Sequence, residues 1–135
     1  MLTRDVIMAL PPEELNRAIW EALGWVHFET KIYSKLWHHP ADHTEYTSER
    51  FMPDYAHSIE AAWELVEGWN NQESMCLMNL HYLGSHPRGM VYQCELRYIG
   101  ESKYIVAEAD TAPLAISRAW RIWKQEADNA SDPNL

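Results

Sequence analysis

Three imidazoles and a carboxylate fall within six residues at His38-His39-Pro40-Ala41-Asp42-His43. Imidazole nitrogens suit zinc, and Asp42 would add an oxygen ligand. No paired cysteines and no His-Glu-x-x-His pattern accompany them, so no metal is assigned; solvated or hydrogen-bonded loop histidines account for the cluster. Nucleophilic catalysis has no signature: there is no Gly-x-Ser-x-Gly. Cys76 and Cys94 fall on the two strands of one hairpin. With Tyr82 opposite Tyr92, Cys76 lies opposite Tyr98 and Cys94 opposite Leu80, too far apart to bridge, and buried thiols are inert. Nothing in the order of residues brings His57 to His81 or pairs two carboxylates for hydrolysis. The five glycines are isolated at turns, so no phosphate-cradling loop is present. The expectation is a protein that is not an enzyme and carries no cofactor.

Binding without chemistry fits the residue types better. The chain has seven Trp and seven Tyr but two Phe. Indole and phenol rings combine a flat apolar body with a polar tip, which suits ligand pockets and interfaces. A nucleotide-type ring can stack on Trp25, Tyr55 or Trp69. Its phosphates can meet the free N–H groups at a helix start near Thr111. Arg88, Arg97 or Arg118 would add charge-assisted bonds. Each has a structural role open to it as well: Trp25 and Trp69 as core edges, the arginines as solvated charges. Trp120 and Trp123 are candidates for a subunit interface of a homo-oligomer.

The charge balance excludes some partners. Asp and Glu outnumber Lys and Arg by 20 to 11, for a net charge of −9. Replacing counterions along DNA or RNA needs a basic surface, and an anionic membrane asks the same. No stretch reaches transmembrane length, and the apolar stretch in residues 1–10 is too short for a signal peptide. The expected location is the host-cell cytoplasm.

The elements that position these residues are readable from periodicity and punctuation. Pro11-Pro12 followed by Glu13-Glu14 opens a helix, Leu15, Ile19, Ala22 and Leu23 recur at helical spacing, and Gly24 stops it. Trp20 lies off that stripe and is expected to be partly exposed. Residues 26–37 read as one or two strands. Residues 38–57 form a long polar loop with no period, a lid or an interface arm among its possible roles. A second helix runs from about Ser58 to Trp69, with Ser58 as N-cap. Three strands follow at 75–83, 90–99 and 104–110, turning at 84–89 and 100–103. A last helix starts at Thr111 and Pro113, carries Ala115, Ala119 and Ile122 on one stripe, and ends near Asp128. Residues 129–135 read as a frayed tail. The fold class is α+β: a mainly antiparallel sheet, made of a three-strand C-terminal meander plus one or two N-terminal strands, flanked by three helices in one domain spanning 1–135.

Three segments in this order and spacing resemble the phage ABA sandwich domain family: Glu13–Trp25 (EELNRAIWEALGW), Ser58–Glu67 (SIEAAWELVE) and Val106–Ala119 (VAEADTAPLAISRA). The His-rich insert around Trp37–His43 departs from that family's usual look. The resemblance implies a helix–sheet–helix sandwich and a phage accessory protein, and transfers no catalytic residues. The same motifs have structural explanations as turns and caps. The function expected is a phage counter-defence protein. It would sequester a nucleotide-derived immune messenger, a cyclic nucleotide or an ADP-ribose derivative, without cleaving it. The alternatives are a protein–protein inhibitor of a host defence enzyme and a small nucleotide hydrolase.

Overall fold

A computed structural model of the chain describes residues 2–29, 32, 35–41, 46–72, 76–87, 89–98 and 104–131. The first helix, α1 (Arg4–Ala9), is absent from the sequence reading. Thr3 caps it, accepting from the Val6 N–H at 3.3 Å, and Asp5 sits in its first turn. The next helix, α2 (Pro12–Ala22), starts as expected at Pro12 with Glu13 and Glu14 in the first turn. It ends in a two-bond stop: the Gly24 N–H reaches the Glu21 carbonyl at 3.0 Å, and the Trp25 N–H reaches that of Trp20 at 3.0 Å. Gly24 adopts φ +99°, which glycine takes without a Cβ clash.

Residues 26–38 form two strands, β1 (Val26–Phe28) and β2 (Leu36–His38), paired antiparallel with His27 opposite Trp37. A third strand, β3 (Thr47–Ser48), joins the other side of β2. The stretch 38–57, expected to be structureless, therefore carries regular structure among its described residues. It holds β3 and a 3₁₀ turn at Glu49–Phe51, and it buries Met52, Tyr55 and Ala56. Apolar side chains at those positions gain enough from burial to pin the segment. Asp42 and His43 lie outside the described residues.

After α3 (Ile59–Gln72), capped by Ser58, comes the meander β4 (Cys76–His86), β5 (Gly89–Tyr98) and β6 (Tyr104–Ala109), in the order β4-β5-β6. The register places Tyr82 opposite Tyr92, Cys76 opposite Tyr98 and Leu80 opposite Cys94, as the alternation predicts. The turn expected at 100–103 lies outside the described residues. The N-terminal strands do not join this sheet; they form their own. The final helix, α4 (Ala112–Ser131), runs three residues past the expected end.

One face of the meander, through Cys94, Leu96, Ile105, Ala107 and Ala109, packs under α4, which also meets α2 and α3. The opposite face carries Asn79, Gln93, Glu95, Arg97 and Glu108, with Asn79 donating to Glu95 at 3.2 Å. The fold is α+β, with two antiparallel three-stranded sheets and, among the described residues, four helices rather than three. Among the described residues no helix is long and apolar enough to cross a membrane.

Candidate functional site

The aromatic residues expected to clamp a ligand are mostly core. Trp69 is fully buried, edge-on to Tyr98 at 6.5 Å, and Tyr55 is buried too. Trp25 is half-buried and set edge-on against His39 at 5.3 Å. Trp20, expected to be partly exposed, is 4% exposed, and its indole N–H donates to the Pro53 carbonyl at 2.9 Å. Trp120 and Trp123, expected at a subunit interface, are 5% and 4% exposed within the chain's own core. The Trp123 N–H donates to the Tyr98 hydroxyl at 2.8 Å. Trp69 is held by packing alone, its buried Nε1 having no partner among the described residues, whereas Trp20 and Trp123 share a polar reason. An indole whose single N–H finds an acceptor loses nothing by burial. Because α4 has a sheet on one side and helices on the others, its buried arc is wider than one stripe.

The arginines divide. Arg97 lies on the far face of the meander, paired with Glu95 at 2.6 Å and stacked over Tyr104 at 4.9 Å. Arg88 lies outside the described residues. Arg118 lines a cleft of about 680 Å³ formed by α1, β6, the start of β5 and the start of α4. That volume lies in the usual range for small-ligand sites. Its walls carry Arg4, Asp5 and Met8 from α1, Val106, Glu108 and Asp110 from β6 and its end, and Leu114 and Arg118 from α4. Thr111 caps the helix end at its side, accepting from the Leu114 N–H at 3.4 Å.

The geometry of the two guanidiniums has a local cause. β6 is an end strand of the meander, so among the described residues its outer carbonyls have no strand to pair with. Arg4 donates to the Val106 carbonyl at 2.7 Å, and Arg118 donates to the Glu108 carbonyl at 2.8 Å. Two carbonyls two residues apart on one strand edge are thus satisfied by two side chains from different helices. Burial pushes Arg118 below its ordinary pKa, and the Asp110 carboxylate opposes that shift. The cleft therefore combines two fixed cations, the positive end of a 20-residue helix, and the carboxylates of Asp5, Glu108 and Asp110. Such a lining can hold phosphate oxygens at one end and hydroxyl or amino donors at the other.

Arg4, Asp5, Glu108 and Asp110 were not singled out in the sequence. The Thr3-Arg4-Asp5 triplet was the available signal, a cap followed by an acid in the first turn. Within the histidine cluster, His39 has a structural role. The His39 ring accepts from the Ala41 N–H at 3.1 Å through Nδ1 and meets the Leu23 carbonyl at 2.9 Å through Nε2. Those contacts use both nitrogens and fix the Nε2–H tautomer. Among the described residues no group of three or more His, Cys, Asp or Glu is placed to hold a metal ion.

The fold is similar to the 2.0 Å crystal structure of a phage protein from Bacillus cereus ATCC 14579, with a TM-score of 0.58. The two chains share 20% sequence identity, over 84% of this chain and 92% of that one, so the likeness is one of fold. No family model matches the chain, and no curated protein does.

Proposed function

We propose that the protein is a phage accessory protein that binds and sequesters a small nucleotide-derived ligand, an immune messenger of the cyclic-nucleotide or ADP-ribose class, in the cleft between α1, β6 and α4. The observation that carries this reading is the convergence there of Arg4, Arg118 and the N-terminal turn of α4 with three carboxylates. Inorganic phosphate alone would meet more negative than positive charge in this cleft. A nucleotide brings its own complement: phosphate for the guanidiniums and helix end, ribose hydroxyls and exocyclic amines for Asp5, Glu108 and Asp110. The phage setting is supported by the resemblance of the three segments and by the phage protein of similar fold. Base stacking on buried tryptophans is not part of this reading. Val91, Val106, Met8 and Leu114 supply the apolar contact instead.

The test is to incubate the protein with cyclic nucleotides and ADP-ribose derivatives, remove free ligand, denature, and identify what is released. Release of unaltered nucleotide is expected. Altered nucleotide would make the protein an enzyme, and no retention would end the proposal.

A second reading, a blocker of a host defence enzyme, is favoured by one surface. On α3, Trp63 is 47% exposed and is flanked at helical spacing by the exposed acids Glu60, Glu64 and Glu67. An exposed indole amid charge is a common anchor in protein interfaces. Loss of host-enzyme binding in Trp63→Ala, with nucleotide retention absent from the wild type, would support it.

A further inference from the structure

The two edges of the meander are treated differently. The β6 edge is guarded by Arg4 and Arg118, whose guanidiniums occupy the Val106 and Glu108 carbonyls. Among the described residues the β4 edge has no such guard of its own. Residues 74–87 contain no Asp, Glu, Lys or Arg, a run of 14 in a chain whose next longest uncharged runs are seven residues. Soluble proteins ordinarily blunt an exposed strand edge with charge, proline or a bulge. Within β4 the irregularity falls only at the hairpin tip, between Leu83 and His86, leaving Cys76–Leu83 in unbroken register with β5. Along that stretch Leu77, Leu80 and Tyr82 are 48%, 39% and 53% exposed.

We infer that β4 pairs antiparallel with β4 of a second copy, joining two meanders into one six-stranded sheet. The occupant follows from charge. Each chain carries −9, so two copies repel wherever acidic faces meet. This uncharged edge is where they can approach without that cost. Pairing an edge with its own copy about a two-fold axis is also self-complementary, since wherever one residue meets a second across the axis, the second meets the first in turn. Leu80 lies near the middle of the regular stretch, so it falls close to that axis. The inference is independent of the cleft at the β6 edge, and the two can fail separately.

Light scattering coupled to size exclusion tests it, using wild type, Leu80→Lys and Phe51→Lys. Phe51 is 70% exposed and lies outside the meander. The wild type and Phe51→Lys are expected at twice the 15.8 kDa chain mass, and Leu80→Lys at the single-chain mass with unchanged circular dichroism. Wild type at the single-chain mass throughout a micromolar to near-millimolar range overturns the inference, as does a Leu80→Lys variant that stays dimeric. If Leu80→Lys does not fold, wild-type hydrogen exchange decides. Protection of β4 amides that rises with protein concentration, with no such rise in β6, supports the pairing; its absence overturns it.

Discussion

Arg118 donates through Nη1 to the Glu108 carbonyl at 2.8 Å, while its Nε is shielded from solvent with no partner among the described residues. The bond stabilises the β6 edge, and the unmet donor subtracts from that gain. Arg118→Met, which keeps the apolar stem, is therefore expected to change folding stability by about 1 kcal/mol or less. Nucleotide affinity is expected to fall by roughly 10- to 100-fold, the loss that follows when one charge-assisted contact is removed. Urea denaturation and calorimetric titration on the same variant separate the two effects.

Ser117 gives the opposite balance. It is fully buried on α4, and its hydroxyl donates to the Tyr55 carbonyl at 2.7 Å, tying the segment before α3 to the last helix. Ser117→Ala removes that donor from a buried acceptor. The expected loss is about 1–3 kcal/mol of stability, read from the denaturation midpoint, with little change in ligand affinity. Loss of binding without loss of stability would mean that Ser117 acts at the site.

Two buried acids govern the alkaline side. Burial, with a smaller contribution from Glu95, pushes the Cys94 thiol from 9.0 to about 12. Burial and then Glu64 push the Tyr55 phenol from 10.0 to about 12. Between about pH 9 and 12 the unfolded chain has released these protons and the folded chain has not. The folded state binds more protons there, so stability falls as pH rises through that window. Urea midpoints should decline between pH 9 and 11, and more shallowly in Cys94→Ala. In native protein near neutral pH, Cys94 should resist thiol reagents that label it in denaturant.

The meander was legible because strict alternation through Tyr92, Cys94 and Leu96 admits one register with β4. The stop of α2 was legible because only glycine takes the φ at Gly24 cheaply. Shorter or non-local features were not. Helix α1 has six residues, too few for a periodic signal, and its Arg4 bonds a carbonyl 102 residues away. The small sheet was half visible: β1 and β2 showed as extended residues, but β3 is two residues long. The tryptophans misled because aromatic surplus says nothing about where each N–H finds its acceptor. Trp37, for example, donates to the Glu49 carboxylate at 3.3 Å from inside the core. Of the ligand-binding residues singled out in the sequence, Arg118 lines the cleft and Thr111 caps its helix end. The cleft itself is assembled from the chain's two ends, which no local pattern records.

The central claim concerns place as much as affinity, and amide chemical-shift mapping tests both at once. Titrating a cyclic nucleotide or an ADP-ribose derivative into ¹⁵N-labelled protein should shift the amides of α1, of Val106–Asp110 and of the first turns of α4, saturably and together. Saturable shifts centred on β1, β2 and Trp25, or a spectrum untouched by every nucleotide tried, would contradict it.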